Sequence, residues 1–328
     1  MKRLFISAFL LLFVFYSEAQ TTHKRTLKLM GSRFDMTVVA KDSSAANTYI
    51  DIAVSEIIRI EKLISSWDSK SQTSEINRNA GIKPVVVDKE LFDLINRSLS
   101  ISKLTDGAFD ISYASMDRIW KFDDSMTQMP SEDDIKASVE KVGYENIILD
   151  PSHTSVFLKL KGMKIGFGAI GKGYAADKAK ALLIEKGVVS GIINASGDMN
   201  TWGSQTNGEE WKVAITNPLD KAKAFALLPI TDGAVVTSGN YEKHVTFDGK
   251  RYSHIIDPRT GYPSSGIISV TVFAPKAELA DALATSVFVM GKEVGLNRIN
   301  QLQKIECIII DDNGNLFTSN NIKINSDD

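Results

Sequence analysis

The sequence predicts an α+β fold built mostly from antiparallel sheet, and three observations carry that expectation. Strand-like runs cluster between helices without the βαβα rhythm of a doubly wound sheet. Long segments place apolar residues three and four apart, the spacing of an amphipathic helix. Short turn sequences such as Asn313-Gly314 sit between alternating runs, the signature of hairpins. No internal repeat, low-complexity tract or Pro/Ser linker divides the chain, so residues 20–328 read as one unit with room for two lobes. At 43% hydrophobic and 24% charged, the 328 residues are too apolar for a disordered chain and too charged for a polytopic membrane protein.

The elements follow in order. Thr26 to Lys41 alternates like a strand, broken by a turn at Gly31-Ser32. Ser44 to Trp67 places Ile50, Ala53, Ile57, Ile60 and Ile64 on one helical face, with Ser43 or Ser44 as the cap. Asp88 to Leu104 reads as a second helix closed by Gly107, and Pro130-Ser131 opens a third, where Ser131 and Asp134 approximate a capping box. Strand-like runs then come in pairs, Asn146–Leu149 with Val156–Leu160 and Val189–Asn194 with Lys212–Thr216. Ala234–Thr237, Tyr252–Ile256 and Ile267–Phe273 follow. Helices are expected at Tyr174–Lys186, at Ala277–Met290 and shortly after Gly291. A final hairpin joins Glu306–Ile310 to Leu316–Thr318.

The first nineteen residues read as a secretory signal: Lys2 and Arg3, an apolar run from Leu4 to Phe15, then small residues at Ser17 and Ala19. Such a run rises only about 18 Å as a helix, short of a bilayer core of about 30 Å. No Cys lies near the cleavage point to carry a lipid, so the mature chain is expected to be exported, soluble and periplasmic, an uncleaved anchor being the alternative. The net charge of −2 shows no basic stripe, which argues against nucleic acid as a partner. The single cysteine, Cys307, rules out an intramolecular disulfide or a Cys-rich metal site and reads as a buried thiol.

Two segments carry chemistry. Residues 166–173, Gly-Phe-Gly-Ala-Ile-Gly-Lys-Gly, fit both G-x-G-x-x-G, after a strand-like Lys164-Ile165, and G-x-x-x-x-G-K. The first lacks a parallel-sheet context, and the second has Gly173 where a phosphate loop needs Ser or Thr. What remains is a glycine turn feeding a helix N-terminus, with Lys172 as a point charge: either an anion site or a plain tight turn. The second segment, residues 238–263, ends in His254-Ile-Ile-Asp257-Pro-Arg259-Thr-Gly261. Downstream, Asp281 and Thr285 stand four apart on one helical face, hard oxygen donors suited to Mg²⁺ or an ordinary surface pair.

Together these segments closely resemble the FAD:protein FMN transferase family, also called the ApbE family. The likeness runs from Met30-Gly31 to Thr285. It takes in Ser66-Trp67-Asp68 with Ser74-Glu75-Ile76-Asn77, Asp106-Gly-Ala-Phe-Asp-Ile111, Gly168–Tyr174 with Asp177, and Asn194-Ala-Ser-Gly-Asp198. The family often has Asp at Gly166, and Ser196 stands where a second Gly is common.

The resemblance implies a T-fold-like α+β architecture and Mg²⁺-dependent transfer of FMN from FAD to a Thr or Ser of an acceptor protein, releasing AMP. It implies an acceptor that is a subunit of a membrane redox complex. Flavin or adenosine contacts fall to Met30, Trp67, Ala108, Phe109, Asp110, Lys172 and Ile255, and metal ligands to the Ala169 carbonyl, Asp281 and Thr285. The attacking hydroxyl needs a base, for which His254 is the candidate, with Asp257 either orienting it or stabilising the turn. Met30, Trp67 and Phe109 have a competing reading as core residues. Two rival functions use the same residues: a Mg²⁺-dependent FAD pyrophosphatase and a secreted flavin carrier without turnover.

Overall fold

A computed structural model of the chain describes residues 20–123, 125–216, 224–240 and 244–322. The expected signal at residues 1–19 lies outside the described residues. The chain begins with a hairpin, β1 (Thr21–Leu29) and β2 (Ser32–Ala40), in which Leu29 faces Ser32. Met30 (φ 49°) and Gly31 (φ 71°) form its two-residue turn, so the reversal comes one residue earlier than expected. α1 (Ser43–Ile64) buries Ala46, Ile50, Ala53, Ile57, Ile60 and Ile64, as its spacing required. Its cap is Asp42, whose carboxylate accepts the Ala45 N–H at 2.7 Å; Ser43 and Ser44 already lie inside the helix. The helix stops short of Trp67, and the short α2 (Gln72–Arg78) follows, unanticipated because seven residues give too little periodicity.

β3 (Val85–Val86) and α3 (Lys89–Leu104) come next, and Gly107 (φ 76°) closes the helix by donating its N–H to the Ser102 carbonyl at 2.8 Å. After a single 3₁₀ stretch over Ile111–Ser115, α4 (Glu132–Ser138) is capped by Ser131, as the sequence signalled. β4 (Ile147–Asp150) and β5 (Ser155–Leu158) pair as expected, in a small sheet of order β3-β5-β4. Lys164-Ile165 is not a strand. Side chains stand in for a neighbouring strand there: Asn77 bonds both the N–H and the carbonyl of Ile165, and the Ser115 hydroxyl does the same for Lys164.

α5 (Gly171–Glu185) starts earlier than the sequence indicated and leads to β6 (Gly191–Ala195) and β7 (Asp198–Trp202). The expected pairing of Val189–Asn194 with Lys212–Thr216 does not form. Instead Ser196 (φ 56°) and Gly197 (φ 103°) make a tight turn that folds β7 back onto β6, the shortest closure available. β7 escaped detection because its Asp198, Asn200 and Thr201 are buried polar residues that hide the alternation. β8 (Trp211–Thr216) pairs with β9 (Ala224–Ile230). The remaining elements are β10 (Gly233–Gly239), β11 (His244–Phe247), β12 (Lys250–Ser253), β13 (Ile267–Ala274), α6 (Ala277–Met290), α7 (Lys292–Asn300), β14 (Glu306–Asp311) and β15 (Leu316–Thr318). β14 and β15 form the predicted Asn313-Gly314 hairpin, while Ile255 and Ile256 fall beyond β12.

Eight strands form one sheet in the order β1-β2-β6-β7-β10-β13-β14-β15, and all pairs among the described residues are antiparallel. This is the predicted class, and it excludes the parallel frame that a dinucleotide-binding glycine motif needs. α1, α5 and α6 pack on one face over a continuous apolar core, and the β8–β9 hairpin closes a smaller core of Val213, Ile215 and Val235. Cys307 is fully buried in the main core, and burial pushes its thiol up to about 12.

α5 and α6 pack side by side over their N-terminal turns. A Cβ on Gly173 would lie 2.2 Å from the Ala277 carbonyl oxygen, so only glycine permits the approach. Asp177 of α5 then caps α6, its carboxylate accepting the Ala277 and Glu278 N–H groups at 2.9 and 3.0 Å and the Asn200 amide as well. Asp177→Ala orphans those donors and is expected to cost about 1–3 kcal/mol. The check is a lowered thermal midpoint with the folded-state circular dichroism retained; an unchanged midpoint would contradict the capping role.

Candidate active site

The glycine-rich segment forms a turn, Gly168 to Ile170, that enters α5 at Gly171, where the Gly171 N–H bonds the Phe167 carbonyl at 2.7 Å. The Tyr174 N–H bonds the Ile170 carbonyl, so what the turn presents is the positive end of the helix dipole together with the Lys172 side chain. The close approach at Gly173 sets α6 beside this turn and delivers Asp281 to it. The Gly173 N–H donates to Asp281 Oδ2 at 3.2 Å.

Lys172, one residue earlier, pairs with Asp198 at the start of β7. Asp198 and Asp281 are only 2% and 5% exposed, so two acids share one lysine in a desolvated site. Burial pushes the Asp281 carboxyl up to about 8, the charge of Asp198 adds to the shift, and Lys172 and the Gly173 N–H offset it in part. Burial also raises Asp198 against the pull of Lys172. Burial works against the charge of Lys172, but the two carboxylates outweigh it and hold its pKa above the ordinary value. With both acids ionised, the cluster carries one uncompensated negative charge. Thr285, one turn beyond Asp281, meets the Ser238 hydroxyl of β10 at 3.3 Å. Asp281, Thr285 and Ser238 thus add oxygen donors beside the turn that carries the Ala169 carbonyl. Among the described residues no group of three His, Cys, Asp or Glu forms a metal cluster.

His254 is exposed and opens a rigid hairpin. Ser253 and Ser264, Ile255 and Ser264, and Asp257 and Tyr262 bond across it at 2.9 Å each, and Ile256 pairs with Pro263. Arg259 grips Asp257 through both carboxylate oxygens at 2.9 and 2.8 Å. Of the two roles anticipated for Asp257, this geometry matches stabilising the turn. Gly261 (φ 77°) lies against the Ile135 carbonyl of α4, and its own carbonyl accepts the Trp120 indole N–H at 2.9 Å.

The other predicted contacts divide by burial. Ala108, Phe109 and Asp110 are 1%, 2% and 6% exposed. The Phe109 ring belongs to the apolar core. The Asp110 carboxylate is occupied by the Ser112 N–H and hydroxyl and the Tyr144 N–H, so it caps a turn. Met30 packs at the head of α5, its Cε 3.8 Å from the Cβ position of Gly171, and Ile255 is half-buried in the hairpin. Trp67 is no core residue: it is 79% exposed, with the Arg118 guanidinium 4.9 Å over its ring.

One segment spans these pieces. Arg118 covers Trp67, Trp120 anchors to Gly261, and Phe122 meets the His254 ring edge-on at 6.5 Å. The sequence reading missed this strap, along with Asp198, Ser238 and Tyr113; the Asn-Ala-Ser-Gly-Asp198 motif held the one signal that could have found Asp198.

Lys172→Met leaves Asp198 and Asp281 without their cation and raises both carboxyls further. An acid whose folded pKa lies above its unfolded value keeps its contribution at low pH and loses it as pH rises through the folded pKa. The variant should therefore lose about 3 kcal/mol at pH 8 but only about 1 kcal/mol at pH 5. Urea midpoints at the two pH values test this, and an equal loss at both would refute the charge-sharing account.

The protein-family model described as the ApbE family matches residues 30–309. A Klebsiella pneumoniae protein named FAD:protein FMN transferase is 33% identical over 293 residues, 89% of this chain and 90% of its own length. An Escherichia coli K12 protein of the same name is 31% identical, over 81% of this chain and 78% of its own. Among solved structures, the ApbE protein of Thermotoga maritima superposes with a TM-score of 0.82 at 29% identity, covering 91% of this chain and 97% of that one. The flavin transferase ApbE of Vibrio cholerae gives 0.79 at 25% identity, covering 92% and 97%. The motifs, the antiparallel frame and these matches over nearly the whole chain agree: the chain belongs to the ApbE family.

Proposed function

We propose that this chain moves the FMN half of FAD onto a Thr or Ser hydroxyl of an acceptor protein, releasing AMP, with Mg²⁺ held by Asp281, Thr285 and the Ala169 carbonyl. The observation that carries this reading is the buried Asp198–Asp281 pair sharing Lys172 at the head of α5. Two buried carboxyls against one lysine fit a divalent cation, which would displace the Asp281 proton on binding. One or two carboxylates with further hard oxygens is a donor set that leaves coordination positions for phosphate. The positive end of α5 and Lys172 fit a pyrophosphate in the same place.

When bound, Mg²⁺ supplies charge neutralisation and Lewis-acid polarisation of the phosphate oxygens. Lys172 and the α5 N-terminus hold the pyrophosphate and stabilise the charge that grows on it. The acceptor oxygen attacks the FMN phosphorus in line, a new P–O bond forms, and the bond to the AMP phosphate oxygen breaks. His254 takes the hydroxyl proton, and the Arg259–Asp257 pair keeps its hairpin rigid. Met30, Trp67 and Ile255 supply apolar surface for the flavin and adenine rings, with the backbone of Ala108, Phe109 and Asp110 beside them.

Incubation with FAD, Mg²⁺ and an acceptor protein carrying the Thr motif should place in-gel flavin fluorescence on the acceptor, and Asp281→Ala should reduce it at least a hundredfold. An unlabelled acceptor that a known family transferase labels in parallel would sink the proposal. AMP release without acceptor would instead support FAD hydrolysis, and tight FAD binding indifferent to Asp281→Ala a carrier.

The acceptor is proposed to be a subunit of a membrane redox complex, reached after export by the N-terminal signal. Among the described residues no helix is long and apolar enough to cross a membrane. Mass spectrometry of the exported chain should find a mature N-terminus at Gln20; a retained Met1 would overturn cleavage.

A further inference from the structure

Tyr113 lies on the 3₁₀ stretch Ile111–Ser115, which docks onto the glycine turn through the Gly166 N–H and the Ile111 carbonyl at 2.8 Å. Its hydroxyl accepts the Gly168 N–H at 3.2 Å. The fit leaves no room for a side chain beneath it: a Cβ on Gly168 would lie 2.3 Å from the phenol oxygen and 3.5 Å from Cζ. The Cβ position of Gly166 is 3.7 Å from the same oxygen. Two glycines of the motif therefore border one phenol, whose ring remains 38% exposed at the surface of the site.

We infer that Tyr113 is a further substrate-contacting residue, whose phenol proton hydrogen-bonds the pyrophosphate of FAD. This rests on the FAD-dependent reading above. The oxygen already accepts from Gly168, which directs the remaining O–H outward to an acceptor. At the positive end of α5, that acceptor is a phosphate oxygen. A side chain on Gly168 would displace the phenol, so the turn is fitted to Tyr113 as well as to the ligand.

The test is equilibrium binding to the ligand-free protein, followed by flavin fluorescence for FAD and by calorimetry for ADP, which shares the pyrophosphate. Tyr113→Phe keeps the ring and should raise the Kd of both ligands about tenfold, the range for one hydrogen bond to a charged group, with an unchanged thermal midpoint. Gly168→Ala should weaken binding in the parent chain, by pushing the phenol aside, yet add nothing in the Tyr113→Phe background, where the colliding oxygen is gone. Unchanged affinities, a loss confined to FAD, a loss that follows a fall in the thermal midpoint, or additive effects of the two substitutions would each overturn the inference. Failure of the parent chain to bind FAD would instead overturn the reading on which it rests.

Discussion

The contact between the N-terminal ends of α5 and α6 governs the rest of the site. Gly173 lets the two helices touch through backbone, and Asp177 binds them by capping α6 from within α5. From that single approach follow the placement of Asp281 on the Gly173 N–H, the proximity of Lys172 to both acids, and the presentation of Thr285 towards β10. Arg97 of α3 adds an outer brace, bonding Glu278 through both carboxylate oxygens at 2.6 and 3.1 Å. Chemistry that needs sub-ångström placement is thus held by helix packing and not by loops.

The arrangement trades stability for function. Two carboxylates at 5% exposure or less, with one lysine between them, cost the ligand-free fold, since burial and mutual repulsion push Asp281 up to about 8. The exposed side is arranged differently. The strap from Arg118 to Phe122 is pinned at its middle by Trp120 and meets the exposed Trp67 and His254 at its two ends.

Legibility in the sequence followed the range of the interactions. α1 and α6 were plain because their buried residues repeat at helical spacing, and the Ser131 cap and Asn313-Gly314 hairpin because their signals are local. β7 and the Lys164-Ile165 segment misled for a common reason. The buried polar side chains of the first, and the backbone of the second, find their partners far away in sequence. For Trp67, expected as a cofactor contact with a competing core reading, the structure removes the core reading: the ring stands in solvent under a guanidinium.

The sequence alone determined the class of fold, the order of most elements and the chemical types at the site, because these rest on periodicity, capping and motif spacing. Lys172, Asp281, Thr285 and His254 were named by pattern, but a pattern carries no distances. Tertiary structure decided that Asp198 pairs with Lys172 near Asp281, that Asp257 is gripped by Arg259, that the Asp110 carboxylate bonds Ser112 and Tyr144, and that the Phe109 ring packs in the core. It also decided that Tyr113, 55 residues from Gly168 in sequence, lies across the glycine turn. Those facts depend on burial and on contacts between residues tens to hundreds of positions apart, which chain folding brings together and local spacing does not encode.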